Sequence, residues 1–253
     1  MQRYHAFLST KLLNLVTSIF IMVNYPSHPG LEAEILVEGQ ALTEYRADNE
    51  AFPLNTVTRY VEATHGSRFS VRFVVPKTCW ADNDLAATLT MDGVEVRTQT
   101  KRRHADGRRD WDCTTEFSVS RVQGNDLKQY FHFNQLDKAD NTGPVDDALK
   151  AHIMSKGRIE LQLHRIRNLR SMTPTNVDSL PLVLPSPVTV PEEATKGSAL
   201  SHVTSLSPAE PVSKISWKEC EYIDGPKRPV AAFRFEYRSR GMRFTGEWYV
   251  NEG

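Results

Sequence analysis

Residues 31–45, LEAEILVEGQALTEY, constrain the fold more than any other stretch. Leu31, Ala33, Ile35 and Val37 alternate with Glu32, Glu34 and Glu38, the period of a strand with one dry and one wet face. Glu38-Gly39-Gln40 breaks the run and residues 41–45 resume it, which predicts a strand, a glycine-containing turn and a returning edge. Such a hairpin cannot bury its own apolar face, so a second sheet must cover it.

The downstream chain supplies candidate strands. Residues 56–63 and 69–75 are rich in β-branched and aromatic residues, and His65-Gly66-Ser67 between them predicts antiparallel pairing, with His65 a solvated turn residue. Residues 85–91 alternate, Asp92-Gly93 turns the chain and residues 94–97 return. Residues 116–122 and 127–133 predict another hairpin, with Gly124 and Asn125 tolerating positive φ. Phe117 and Val119 share one face of it, Leu127, Phe131 and Phe133 another, and Tyr130, Phe131 and Phe133 are expected in the core. One segment reads as helix: Pro144 at its start, Asp146 and Asp147 in the first turn, Ala148, Leu149, His152 and Ile153 at helical spacing, and Gly157 at its end. Residues 158–166 predict a strand with His164 on its wetter side. Residues 168–197 then lose both periods, and Pro174, Pro181, Pro185, Pro187 and Pro191 favour extended, unpacked chain.

Order returns in residues 196–206, 214–222 and 229–238, with a turn at Asp224-Gly225-Pro226. These strands are too few for a domain of their own and should complete the first sheet system. The expectation is therefore a mainly β protein, an antiparallel β-sandwich with one short helix and a long Pro/Ser-rich insertion. Residues 1–29 form an N-terminal extension, disordered or loosely helical. Residues 30–240 form a single domain, with 168–197 a linker or loop inside it, and 241–253 a C-terminal tail.

Charge excludes a global field for nucleic acid or membrane, since 31 Lys and Arg balance 31 Asp and Glu. Cys79, Cys113 and Cys220 lie far apart, without zinc-ligand spacing, and fit structural thiols in a reducing compartment. Lys11 and the apolar run of residues 12–23 resemble a secretory leader without a cleavage site. An extension upstream of a natural start at Met22 is the favoured reading, with a signal peptide and a peripheral helix as alternatives. No integral membrane insertion is expected, because the run is short and interrupted by Asn14, Thr17 and Ser18.

The one concentrated basic segment is residues 101–110, KRRHADGRRD. Lys101, Arg102, Arg103, Arg108 and Arg109 are the candidate phosphate contacts, because each such cation releases counterions from a nucleic-acid backbone. The segment has no interleaved aromatics before Trp111 to act as a stacking platform, so a solvated hairpin loop is the plainer reading. No catalytic, metal or cofactor motif is found. Ser198, Ser201 and His202 are neighbours in sequence only, and one of the serines is expected to cap a helical turn starting near Ala199. Glu32, Glu34 and Glu38 share a strand face with nothing to distinguish them as an acid–base pair.

The chain resembles a family of uncharacterised proteins of filamentous fungi, catalogued as a domain of unknown function. The likeness rests on GLEAEILVEGQALTEY (30–45), NTVTRYVEATHGSRFSVRF (55–73), LTMDGVEV (89–96), KGSALSHVTSL (196–206) and CEYIDGPKRPVAAFRFEYRSR (220–240), in the family's order. It implies a start shortly before Gly30 and a short apolar helix after YRSR, where this chain reads GMRFTGEWYVNEG. It carries no activity, substrate or cofactor. The expected function is a non-enzymatic β-sandwich protein-interaction module, cytoplasmic or nuclear, contacting an unknown protein partner through its sheet edges or residues 168–197. Secretion is expected only with a genuine leader. The alternatives are weak nucleic-acid association through Lys101 to Arg109 and a small-ligand or carbohydrate site using Trp80 or Trp111.

Overall fold

The computed structural model describes residues 23–46, 55–102, 109–139, 153, 156–172, 184, 190–191, 200–213, 215–238 and 249–250. Alternation makes strands of nearly all of them. One sheet takes the order β1 (Val23–Tyr25), β2 (His28–Val37), β6 (Phe69–Val75) and β9 (Trp111–Thr115), with β3 (Gln40–Ala41) on β2. A larger sheet runs β19 (Tyr249–Val250), β4 (Glu44–Arg46), β5 (Thr56–Glu62), β18 (Ala231–Arg238), β13 (Arg158–Ser171), β7 (Asp84–Met91) and β8 (Val94–Lys101), with β17 (Lys218–Tyr222) also on β13. A third joins β10 (Phe117–Val122), β11 (Asn125–Gln135) and β15 (His202–Leu206), with β16 (Glu210–Pro211) on β11. β12 (Lys138–Ala139) and β14 (Val190–Pro191) form a small parallel pair.

The mainly β fold and the sandwich-like packing follow the sequence reading. Leu31, Ala33 and Ile35 of β2 and Phe69, Val71, Phe73 and Val75 of β6 meet Leu85, Leu89, Leu161, Phe233 and Phe235 of the larger sheet in one core. Phe131 and Phe133 of the third sheet enter the same core, Phe133 stacking on Phe69 at 4.2 Å. Each such fully buried side chain contributes roughly 1.5–3 kcal/mol. The sheets are not wholly antiparallel, because β18 lies parallel to β5. A parallel pair needs a long crossover, and the chain from residue 63 to 230 provides one.

The opening hairpin forms, with Glu38 at φ 53° and Gly39 at φ 77° in a two-residue turn, yet its return is only two residues long. Residues 44–46 cross instead to the larger sheet, pairing with β5. The expected pairing of residues 56–63 with 69–75 is corrected: β5 and β6 lie in different sheets, and residues 63–68 are an arch between them. Both runs carry a dry face, and placing them in opposed layers buries both faces.

Other expectations are corrected as well. The 122–125 turn places Gln123 and Gly124, rather than Gly124 and Asn125, at positive φ. Tyr130 leaves the core for the half-buried outer face, where the Arg68 guanidinium lies 3.4 Å from its ring centre. His164 is 3% exposed rather than wet, packed 4.8 Å from the Tyr222 ring. It is covered because β17 and β18 follow one another along the same edge of β13, and the excursion at 223–230 is pinned there by Arg165 to Asp224 at 2.9 Å. β13 extends through Ser171, so residues 168–171 belong to a strand and not to the proline-rich segment. Within that segment, Leu184 is buried in the main core and β14 pairs with β12, while residues 173–183, 185–189 and 192–197 lie outside the described residues.

β1 and the start of β2 fall within the 1–29 extension, because the Tyr25 ring packs in the core against Phe233 at 5.9 Å. Residues 1–22, the leader included, lie outside the described residues. The predicted helix lies largely outside them as well, apart from Ile153, which is helical and buried. Of the tail, β19 pairs with β4. Ser201 leads into a strand rather than capping a helical turn, and Ser198 and Ala199 lie outside the described residues.

A buried carboxylate ties the layers together. Asp92, 4% exposed in the β7–β8 turn, accepts hydrogen bonds from the Tyr237 hydroxyl at 2.6 Å, from the Thr204 main-chain N–H and hydroxyl at 2.7 Å each, and from the Arg158 N–H at 3.2 Å. β13, β15 and β18 thus converge on one side chain of the β7–β8 turn.

Candidate functional site

Two register facts build the site. Val75 at the end of β6 is opposite Trp111 at the start of β9, and Leu85 at the start of β7 is opposite Lys101 at the end of β8. The turn at 76–83 joins β6 to β7, so these four strand ends meet at one end of the sandwich. Pro76 removes a donor and ends β6. The Cys79 N–H donates to the Pro76 carbonyl at 2.9 Å, the Asn83 N–H to the Trp80 carbonyl at 3.0 Å, and the Lys77 N–H to Asp110 Oδ1 at 2.9 Å.

An open cleft of about 90 Å³ lies between these ends. Val75, Cys79 and Leu85 are buried beneath it, and Trp80 and Trp111 are half-buried in its walls. Trp80 packs on His28 at 4.8 Å, and Trp111 meets Phe73 edge-on at 5.0 Å. Trp80 sits at φ 48°, a left-handed conformation that costs a bulky residue roughly 1–2 kcal/mol. Burial pushes the Cys79 thiol pKa up, which keeps it the neutral thiol.

Lys77, Lys101, Arg102 and Arg109 also line the cleft; among the described residues no carboxylate lines it, and the nearby Asp110 carboxylate accepts from the Lys77 N–H. Lys101 donates through Nζ to the Arg109 carbonyl at 3.1 Å, and Arg102 through Nη2 to the Leu169 carbonyl at 2.6 Å. Lys77 and Arg109 engage through main-chain atoms, leaving their side-chain charges open to solvent. Of the five predicted phosphate contacts the structure therefore brings together Lys101, Arg102 and Arg109, while Arg103 and Arg108 lie outside the described residues. The sequence reading missed Lys77 and treated the tryptophans apart from the cations. The signal was the strand-end position of Trp111 directly after the basic run, but Trp80 joins it only through the register of β6 with β9.

The remaining candidates lie outside this cleft. Ser201 Oγ lies 3.0 Å from His202 Nδ1, a contact between sequence neighbours, and no described carboxylate hydrogen-bonds the ring. Burial, then the nearby His65, lowers the His202 pKa, so the ring is neutral near pH 7. Exposed His65 caps a loop instead, its Nδ1 accepting from the Gln135 N–H at 2.9 Å. Glu34 is 5% exposed and ion-paired with Arg72 at 3.1 Å. Arg72 also grips Asp112 with two nitrogens, at 3.0 and 2.7 Å, and these hydrogen bonds hold the Asp112 carboxyl below its usual pKa. Glu38 stands in the β2–β3 turn. Burial raises Glu44 to about 8 against the pull of Arg59.

Among the described residues no group of three or more His, Cys, Asp or Glu could hold a metal ion, and no helix is long and apolar enough to cross a membrane. Among its described residues the cleft can hold an anion beside an apolar group, and its one thiol, Cys79, is neutral. No curated protein and no solved structure matches the chain. Residues 30–242 match a domain of unknown function, DUF7918, and the chain belongs to that family.

Proposed function

We propose that this chain is a non-enzymatic interaction module that engages an anionic partner through the cleft between residues 75–85, 101–102 and 109–111. The observation that carries this reading is the convergence of four cations and two tryptophans around an open cleft that no carboxylate lines among the described residues. Elsewhere several described cations are answered by carboxylates: Arg68 by Glu116, Arg158 by Glu236, Arg165 by Asp224, Arg167 by Glu221 and Arg170 by Glu219. A surface whose charges are left unanswered within the fold is suited to a complementary partner.

The test is affinity purification of the tagged full chain from its native cells beside the double variant Lys77→Glu/Arg109→Glu. Both side chains are exposed, so the variant should keep the wild-type melting temperature. A protein recovered by the wild type and lost by the variant supports the reading; identical partners on both place the contact elsewhere. Nuclear and cytoplasmic fractions should hold the protein, in keeping with three free cysteines.

Nucleic-acid association is the second reading. It is favoured by the position of Trp80 and Trp111 beside the cations, which supplies the stacking groups absent from the basic run itself. It predicts binding that weakens steeply with salt.

A further inference from the structure

Resting on the binding-module reading, we propose that the cleft receives an acidic peptide segment carrying one apolar anchor side chain. The base of the site is apolar, with Val75, Cys79 and Leu85 beneath and two indoles at the sides. At about 10–15 Å³ of such space per water, 90 Å³ holds several waters, hence the end of one side chain. Around it stand Lys77, Lys101, Arg102 and Arg109. Among the described residues Lys101 and Arg102 bond main-chain carbonyls, which orient a cation without neutralising it. The chain's net charge is zero, so this field is local and fades within a Debye length of about 8 Å. It selects a ligand whose charges flank the anchor closely, as Asp and Glu do beside a buried Leu.

The aromatic geometry favours a peptide over a single nucleic-acid strand. Strand binders stack successive bases on several open rings. Trp80 packs on His28, and the indoles form cleft walls rather than a platform. The half-buried aromatics of β10 and β11 do not extend the track. Arg97 lies 5.6 Å and Lys128 5.9 Å from the Phe117 ring, while Arg68 at 3.4 Å and Lys128 at 4.7 Å take up Tyr130. The site therefore offers one apolar socket inside a basic rim.

The experiment titrates the full-length chain with a ten-residue Glu/Asp peptide holding one central Leu and no tryptophan, read by intrinsic tryptophan fluorescence and calorimetry. Controls are the same peptide with Ser for Leu, and a single-stranded ten-nucleotide oligomer. The Leu peptide should bind with an emission shift that Trp80→Phe reduces. Replacing its Leu by Ser, or using Lys77→Glu/Arg109→Glu, should weaken binding about tenfold or more. Equal binding of the Leu and Ser peptides would remove the anchor and overturn the proposal, as would an oligomer that binds more tightly than either. If no peptide binds while the charge-reversal variant still loses its cellular partner, this ligand class is wrong and the module reading survives. If the variant keeps its partner and the peptide does not bind, both fail.

Discussion

Asp92→Asn removes one negative charge while keeping the shape of the side chain and, since Asn tolerates φ near 50°, the shape of the turn. Oδ1 accepts from the Tyr237 hydroxyl and the Arg158 N–H, and Oδ2 from the Tyr237 hydroxyl, the Thr204 N–H and the Thr204 hydroxyl. The hydroxyls can rotate to accept from an amide, but the main-chain N–H groups cannot. Whichever way the new amide turns, its NH2 faces Arg158 N–H or Thr204 N–H, so one buried donor loses its partner at about 1–3 kcal/mol. The surviving bonds also lose charge assistance, at roughly 1–2 kcal/mol. The expected loss is about 2–5 kcal/mol, a large share of the ~5–15 kcal/mol that stabilises a typical domain. For a chain of this size that is a fall in melting temperature of about 10 °C. Tyr237→Phe, which removes one donor without a cavity, should cost about 1.5–3 kcal/mol. Burial and the Asp92 carboxylate raise the Tyr237 pKa, so it stays a donor across the accessible range. Urea unfolding followed by circular dichroism gives both values, and the double variant gives their coupling. A Asp92→Asn loss below about 1 kcal/mol, or strict additivity with Tyr237→Phe, would refute the account of Asp92 as the shared acceptor of the layers.

Three further outcomes are expected. Burial raises Glu44 to about 8 in the fold, above its unfolded value near 4.5, so its contribution is full below pH 4.5 and is lost as pH rises to about 8. Glu44→Gln should remove that decline and stabilise the chain above pH 8 by a few kcal/mol at most, read from urea midpoints at pH 5 and 9. Arg72→Met leaves Glu34 buried without its cation and should cost about 2–4 kcal/mol, an effect that Glu34→Gln in the same chain should partly restore. Gly157→Ala should cost about 1–2 kcal/mol in thermal unfolding, because φ is +76° and the new Cβ would stand 2.7 Å from Leu200 Cδ1, whose flexible end can yield where the backbone cannot.

Alternation in residues 31–37, 69–75, 85–91, 127–133, 158–166 and 231–237 was enough to identify the principal strands and most of their apolar faces. Asp92-Gly93 and Glu38-Gly39 were legible as turns, because positive φ is a local demand on residue type. The pairing of 56–63 with 69–75 was misread because a short polar turn looks the same whether it closes a hairpin or arches between layers. His164 and Tyr130 were misplaced for a related reason. Period two says which residues share a face, but β17 and the 223–230 excursion cover one of those faces from more than fifty residues away, and Arg68 reaches the other from the arch. The basic segment from Lys101 to Arg109 was visible and Trp80 and Trp111 were singled out, whereas their meeting around one cleft was not.

The sequence by itself determined a β-rich chain, the places of its tight turns and the local concentration of positive charge. These depend on residues a few positions apart. Tertiary structure alone decided that β5 lies parallel to β18, that Asp92 meets Tyr237 and Thr204, and that Lys77 and Trp80 stand with Lys101, Arg102, Arg109 and Trp111 around one cleft. The reason is physical: burial of an apolar face is non-directional and does not name its partner strand. Only the packing of all the strands at once selects which ends coincide, and the cleft is made of such ends.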